Sequence, residues 1–591
     1  MNCDIPLVHR MLMIVAILFV SNAFTGCQSG DNDTPSPVEF PEPSVNRVSE
    51  SSEESPFTFV ECAAQLGVSH TYHSGSERGF FAIVESLGGG VAMIDYDNDG
   101  LVDLFAPGGG DFVESSRQPI GRRSQLFRRI SRVLNESFVE VSAMAQVSES
   151  DHYSHGSLVS DYDNDGFDDI LLTGYGGVQL FRNSGDGTFI EVAANVGLTD
   201  SLWSSSAAWG DFNGNGANDV YIAHYVDWSP ENDPQCFADD ASIRDVCPPK
   251  LFSGLTDALY LSDGQGNFVF ADESFGDLSS GKGLGVAAAD VDLDGDLDVY
   301  VANDTVKNSL LINDSEQRFV EAGPSSGTAY GDTGREDGSM GVDIGDFNGD
   351  GLPDIWVTNY ENESFALYRG FDGDFFQHVS RSTGVSAAAG LSVGWGTVFG
   401  DFDLDGDEDL FAANGHVIRH PTNSPIYQRP LLLLNDEKRR FTDVARTSGT
   451  YLAGSHMSRG VVQGDLDDDG DIDLIISNIH QPLAVLRNES PRQGNWIRLK
   501  LIGVESARWA EGAWVEFLLK GNRKILRLRK GGTSYASTSD RWLHAGIGTD
   551  KLITAIEIHW PSGSVQRLEN VSVNQHLQVV EGCKDYFVAS E

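Results

Sequence analysis

Residues 285–303 read Gly-Val-Ala-Ala-Ala-Asp-Val-Asp-Leu-Asp-Gly-Asp-Leu-Asp-Val-Tyr-Val-Ala-Asn. One short apolar run enters an acidic nine-residue loop, Asp290 to Asp298, and a second, rich in β-branched and aromatic residues, leaves it. Ser309-Leu-Leu-Ile-Asn313 and Arg318-Phe-Val-Glu321 follow. The unit therefore holds four strand-like segments separated by Asn, Asp and Gly turns. The same loop, Asp-x-[Asp/Asn]-x-[Asp/Asn]-Gly-x-x-Asp, starts again at Asp95, Asp161, Asp211, Asp346, Asp401 and Asp465, at intervals of 50 to 79 residues. Four short strands per unit at such a period read as blades of a β-propeller.

The loops also dictate a chemistry. Two carboxylates ~4 Å apart repel by roughly 4 kcal/mol at an effective dielectric near 20, and these loops place one at nearly every second position. Oxygen-only ligands around a glycine turn select a hard cation, and Ca2+ fits best. An EF-hand is excluded, because position 12 of the first two loops holds Ala106 and Leu172 and strands flank the loops instead of helices. The chain has 88 acids against 40 bases, a net charge of −48, and 31 of the acids lie inside the seven loops. Much of the global charge is thus a metal signature. Nucleic acid is not an expected partner, since phosphate binding needs a basic footprint.

The seventh unit lacks its fourth strand: Ala484-Val-Leu-Arg-Asn488 is followed by a different kind of sequence. A matching segment stands at the other end, Phe57-Thr-Phe-Val-Glu-Cys62, similar to Phe189-Ile-Glu-Val192. The N-terminal segment 57–61 is therefore expected to pair beside 483–488 and complete the last blade, leaving no open edge. Residues 491–582 carry 13 Lys/Arg and 8 Asp/Glu, a reversal of sign, and alternate as strands, for example Trp496-Ile-Arg-Leu-Lys-Leu501 and Ile556-Glu-Ile-His-Trp560. The expected fold is all-β: a seven-bladed propeller over 57–490, a small β-sandwich or barrel over 491–582, and a tail over 583–591. Its densest basic stretch is Lys520, Arg523, Lys524, Arg527, Arg529 and Lys530. An exposed hairpin, an anionic-glycan contact and docking on the acidic propeller are all open to it.

These stretches resemble the FG-GAP/VCBS repeats known from the integrin α propeller, and the tail resembles the ASPIC/UnbV domain of the cartilage acidic protein family. The resemblance rests on the loops, on Asn495-Trp-Ile-Arg-Leu-Lys-Leu501, Gly531-Gly-Thr-Ser-Tyr-Ala-Ser537 and Trp560-Pro-Ser-Gly563, on Cys236…Cys247-Pro-Pro249 and on Asn414-Gly-His416. It implies side-chain ligands at loop positions 1, 3, 5 and 9. Carried onto this chain, these are Asp95, Asp97, Asp99 and Asp103; Asp161, Asp163, Asp165 and Asp169; and Asp211, Asn213, Asn215 and Asp219. They continue as Asp290, Asp292, Asp294 and Asp298; Asp346, Asn348, Asp350 and Asp354; Asp401, Asp403, Asp405 and Asp409; and Asp465, Asp467, Asp469 and Asp473. Up to seven Ca2+ ions follow. The third loop, with two carboxylates, is expected to hold its ion weakly or not at all. Members of the family are binding or matrix proteins, so the resemblance implies architecture more than activity.

His9 and Arg10 precede an apolar run from Met11 to Val20, too short to span a bilayer comfortably, and Phe24-Thr25-Gly26-Cys27 follows. The tetrapeptide resembles a bacterial lipobox with Phe24 in place of the usual Leu. Residues 1–27 are thus expected to be a signal peptide with Cys27 lipidated, ordinary cleavage and secretion being the alternative. Residues 28–56, rich in Ser, Pro and Glu, read as a disordered tether. Export permits disulfides. Cys236 and Cys247, in a Pro/Asp-rich insertion over 227–254, are the expected pair; Cys62 and Cys583 either bridge the ends or stay free. Gly276-Asp-Leu-Ser-Ser-Gly-Lys-Gly283 mimics a P-loop but leads into a strand-like run, and His152 and His155 read as scaffold. The function expected is an exported binding or adhesion module for an extracellular protein or polysaccharide, touching membrane only through its lipid. The rival expectation is a polysaccharide lyase or hydrolase with catalytic side chains gathered in a deep axial pocket of the propeller.

Overall fold

The computed structural model describes residues 55–589 except 133–136, 149–151, 239–241, 272–274, 315–317, 372–373 and 437–438. The signal segment, Cys27 and all but the last two residues of the tether lie outside the described residues. What is described is all-β with a few one-turn helices, and none of those helices is long and apolar enough to cross a membrane. Gly283–Ala289, Asp298–Asn303, Ser309–Asn313 and Phe319–Glu321 pair in that order as an antiparallel sheet, with Ala289 opposite Asp298 across the acidic loop. Six further four-stranded sheets repeat this order, each with its acidic loop joining first strand to second. In the seventh the expected closure occurs: Phe59 pairs with Asn488, Val60 with Arg487 and Glu61 with Leu486.

The first three strands of each sheet are buried on both faces, which is why they read as continuous apolar runs instead of alternating ones. The burial comes from the neighbours. Separate clusters fill the spaces between first and second sheets, second and third, and so on through sixth and seventh. A seventh cluster, with Leu466, Val485, Leu104 and Phe138, joins the last sheet to the first. Packing order is therefore cyclic. Two side chains recur at every junction. The residue at loop position 2 meets the fourth-strand Phe of the next sheet, as in Tyr96 on Phe189 at 6.1 Å, Phe212 on Phe319 at 5.6 Å and Phe402 on Phe59 at 5.8 Å between ring centroids.

Beyond residue 490, two more four-stranded sheets face each other. Asn495–Ile502 lies between Leu543–Gly548 and His576–Val580, and Trp514–Leu518 lies between Lys524–Leu528 and Leu552–His559. Ile497, Val515, Phe517, Ile556 and Leu577 fill the space between them. The connection after Lys524–Leu528 does not stay within this pair. Residues 531–540 run through the middle of the seven-sheet array and hydrogen-bond to the first strand of every sheet. Thr538 accepts from Met93, Ala536 from Ser157, Gly531 from Trp209, and Ser534 from Val342. Gly531 donates to Ala288, Asp540 to Gln463, and the Ser534 hydroxyl accepts from Thr397. Gly531 is required where it stands, since a Cβ there would lie 1.6 Å from the Trp209 carbonyl oxygen.

Tyr535, fully buried, carries this segment onto Trp395 at 4.8 Å and into an aromatic cluster that also takes Tyr72, Trp203, Trp228 and Phe252. The 227–254 insertion closes over that cluster. Cys236 and Cys247 are joined in a disulfide, and Asp245 accepts the backbone N–H groups of Arg419 and His420 at 2.9 and 3.0 Å. Cys62 is buried and free, and Cys583 exposed and free, so no bridge joins the ends. His155 is scaffold: its Nε2 accepts from Trp203 Nε1 at 2.8 Å, and burial pulls its pKa down to about 3.

Candidate metal centres

Each loop turns through two left-handed residues, at positions 4 and 6. Position 6 is always glycine, with φ of +94° at Gly166 and +104° at Gly295, whereas position 4 is Asn98, Asn164, Leu293, Leu404 or Asp468 in five loops. The turn folds the chain so that position 1 caps it from inside. Asp161 accepts from Asp165 N and Gly166 N at 2.9 and 2.8 Å, and Asp290 from Asp294 N and Gly295 N at 3.1 and 3.0 Å. In five loops three carboxylates then bring oxygens within 4.8 Å of one another: Asp95, Asp97 and Asp99; Asp161, Asp163 and Asp169; Asp290, Asp292 and Asp294; Asp401, Asp403 and Asp405; Asp465, Asp467 and Asp473.

The donor set fits a hard cation on an independent ground. The buried oxygens Asp163 Oδ1, Asp401 Oδ1 and Asp467 Oδ1 have no hydrogen-bond partner, and all three belong to these triplets. Leaving such groups unpaired is costly, and a bound ion would satisfy them. Without one, burial drives the carboxyls up, to about 7 for Asp161, Asp290 and Asp465 and about 6 for Asp292, Asp403 and Asp467, with the neighbouring carboxylates adding to the shift. The third and fifth loops form no such triplet. There the position 3 amide fills in: Asn213 Nδ2 donates to Asp219 at 3.3 Å and Asn348 Nδ2 to Asp354 at 3.1 Å. The fifth loop thus joins the third, whose carboxylate shortage alone had set it apart in the sequence.

Five of the expected ligands in the triplet-forming loops stand outside the triplets: Asp103, Asp298 and Asp409 at position 9, and Asp165 and Asp469 at position 5. In all seven loops the position 9 Asp is a strap between strands. One oxygen accepts the N–H of loop position 2, and the other accepts the N–H of the residue ending the third strand. Asp298 takes Val291 N at 2.9 Å and Asn313 N at 2.8 Å; Asp473 takes Leu466 N and Asn488 N, both at 2.8 Å. The third-strand Asn carries the link onward: Asn183, Asn313, Asn435 and Asn488 donate from Nδ2 to the carbonyls of Tyr96, Phe212, Phe347 and Phe402 in the preceding sheet's loop. Burial and Asp292 hold the Asp298 carboxyl well above the usual carboxylate range, so without an ion its straps are those of a neutral group. Asp298→Asn turns an NH2 toward one of the two buried N–H groups and is therefore expected to cost about 2 kcal/mol in calcium-free buffer, against well under that for the exposed Asp294→Asn. Denaturant unfolding of both variants in chelator checks it, and equal losses would refute the strap.

The basic residues of the last two sheets find the same loops. Arg541 pairs with Asp95 at 3.0 Å and Asp168 at 2.8 Å, and Arg498 with Asp465 at 3.0 Å and Asp540 at 2.6 Å. Arg527 stands 3.6 Å from Asp401, and Lys530 is 2.5 Å from Asp343. Of the readings open to the 520–530 stretch, docking on the acidic array is the one realised by Arg527 and Lys530; Lys520 and Lys524 are exposed. Position 1 of the first, sixth and seventh loops is thus shared with a guanidinium.

The repeats and the terminal sheets define the class. The FG-GAP-like repeat model matches residues 161–222, 252–301, 290–357, 346–412 and 401–476, and the ASPIC and UnbV model matches 503–585. The chain is a protein of FG-GAP-like repeats with an ASPIC/UnbV domain toward its C-terminal end. Its homologues include cartilage acidic protein 1 of Mus musculus, 25% identical over 517 residues that make up 83% of this chain and 73% of the relative. Cartilage acidic protein 1 of Homo sapiens is 26% identical over 523 residues, 83% and 71% of the two chains. Among solved structures, an Agrocybe aegerita lectin recognising non-reducing terminal N-acetylglucosamine has a TM-score of 0.36 at 16% identity, covering 61% of this chain and 86% of that one. The V. cholerae biofilm matrix protein Bap1 has a TM-score of 0.26 at 10% identity, covering 82% and 72%.

Proposed function

We propose that this chain is an exported, calcium-stabilised seven-bladed propeller with a two-sheet sandwich docked on it, serving as a binding or adhesion module for an extracellular protein or polysaccharide. The cyclic order of seven packed sheets and the return of Phe59–Glu61 to the last of them support the propeller. The orphaned carboxylate oxygens in the loops support the ions, held in the five triplets, where they lock the turns. The observation that carries the binding role is the axial segment. Residues 531–540, from Gly531 to Asp540, run where the enzyme reading would put a catalytic pocket, and the cavity left beside them is about 100 Å³, below the size of a small-ligand site. What the molecule offers a ligand is its outer, loop-built surface. A screen against glycans and surface proteins, with a product assay on every hit, tests this: turnover of a hit sinks the binding reading in favour of the enzyme.

Anchoring through Cys27 is the second part of the proposal. Expressed in a bacterium with its own leader, the chain is expected to take up labelled palmitate and fractionate with membranes, and Cys27→Ser to abolish both. Label persisting in that variant would contradict the anchor.

A further inference from the structure

In three of the five loops that gather a carboxylate triplet, the position 1 Asp already carries a guanidinium from the part of the chain past residue 490. Arg541 Nη2 lies 3.0 Å from Asp95 in the first loop, Arg527 Nη2 3.6 Å from Asp401 in the sixth, and Arg498 Nη1 3.0 Å from Asp465 in the seventh. In the seventh the oxygen is shared: Asp465 Oδ2 accepts from both Gly470 N, at 2.9 Å, and Arg498. The first loop meets a second cation. Arg128 Nη2 stands 2.5 Å from Asp97 and 3.1 Å from Asp99, so every carboxylate of that triplet is ion-paired. The second and fourth loops differ. Among the described residues no Lys or Arg nitrogen lies within 4.0 Å of a carboxylate oxygen of Asp161, Asp163, Asp169, Asp290, Asp292 or Asp294.

We propose that the loops form two calcium classes, tight in the second and fourth and at least about tenfold weaker in the first, sixth and seventh, and that filling the weak class loosens the docking of the terminal sheets. This rests on the reading of the loops as calcium sites and gives that reading a regulatory consequence. Affinity for the ion follows the number of charges its ligands bring. A guanidinium on the position 1 Asp cancels one of those charges and sets a positive charge beside a doubly positive ion. Coupling of this kind is reciprocal: whatever factor the guanidinium takes from the ion's affinity, the ion takes from the guanidinium's hold. Arg498 lies on Asn495–Ile502, Arg527 on Lys524–Leu528, and Arg541 just past the axial segment. The three weak loops therefore tie calcium level to how firmly the terminal sheets sit on the array, and the two tight loops do not.

Calorimetric back-titration of the chelator-stripped full chain with calcium tests it. Two sites are expected in the tight class and up to three in a class at least about tenfold weaker. Arg527→Gln should move one site from the weak class to the tight one, whereas Arg527→Lys, which keeps the charge, should leave it weak. Arg128→Gln changes a side chain that is one-third exposed, so the core is untouched, and should tighten one weak site. Arg567→Gln removes a guanidinium paired with Glu557 and Glu569, away from the triplets, and should change neither class. Raising calcium from the level that fills the tight class to the level that fills both should quicken amide exchange across 531–540. Five equivalent sites, weak sites that Arg527→Gln and Arg128→Gln both leave unchanged, or exchange across 531–540 that does not quicken, each overturns the proposal while leaving the calcium reading in place. A chain that takes up no calcium overturns both.

Discussion

Stripping calcium from the full chain near pH 7.5 is expected to lower the midpoint of thermal unfolding by on the order of 10 °C, and restoring calcium to recover it. At free calcium about 100-fold above Kd, each occupied loop adds about 2.7 kcal/mol, and five loops bring three carboxylates together. The effect has a pH signature whose sign follows from burial. Asp161, Asp290, Asp346 and Asp465 are pushed from an ordinary 3.8 to about 7. A carboxyl whose folded pKa exceeds its unfolded one contributes stability that is full below pH 3.8 and lost as pH climbs through the folded value. The metal-free chain should therefore melt lower at about pH 8 than at about pH 5.5. Calcium needs the ionised form, so the increment it gives should grow over the same interval. A calcium increment that is flat or shrinking with rising pH would contradict the loops as cation sites, and an unchanged midpoint at neutral pH would end that reading.

The repeat was legible because its signal is local. Each loop carries its own spacing of Asp and Gly, and each strand its own apolar run, within about twenty residues on either side. The closing strand was legible too, although it pairs across most of the chain, because Phe57-Thr-Phe-Val repeats a phrase whose place in the unit was already known. What stayed hidden depends on partners that share no period. Arg541 and Asp95 lie 446 residues apart, and nothing in either neighbourhood names the other; only the change of net charge past residue 490 hinted that the two regions attract. Gly531-Gly-Thr-Ser-Tyr-Ala-Ser537 stood out as a motif, yet its passage past all seven first strands is a property of the assembled array. Position 9 has a second role that composition does not show. Its Asp has the composition of a ligand, and as the first residue of a strand it also takes two backbone N–H groups. The Asn ending the third strand stands in plain view in Ser309-Leu-Leu-Ile-Asn313 and Ala484-Val-Leu-Arg-Asn488, but its bond to the preceding loop follows only from how sheets stack.

Replacing Arg498 by Met is expected to destabilise the calcium-free chain by about 3–5 kcal/mol. The guanidinium is 3% exposed and lies between Asp465 and Asp540, themselves 0% and 6% exposed, with its carbon 5.1 Å from the Trp542 centroid. Burial alone would lower its pKa, but Asp465, Asp540 and Asp468 outweigh it and hold the charge on. Methionine fills the volume and leaves two carboxylates unpaired, and an uncompensated buried charge costs more than the intact pair contributes. Two further outcomes separate this from a packing defect. Asp540→Asn should recover part of the loss in the double mutant, because it removes one of the stranded charges. Calcium should also recover part, because an ion in the seventh loop compensates Asp465, so the cost of Arg498→Met should be smaller in the loaded protein. Asp540 holds the end of the axial segment through its N–H to the Gln463 carbonyl at 3.1 Å. Amide exchange over 531–540 should accordingly quicken in Arg498→Met while the outer strands of the fourth sheet stay protected. A loss below about 1 kcal/mol, the size of an exposed pair, would mean that the terminal sheets are held to the propeller by their shape and by the threaded segment, with the arginine a bystander.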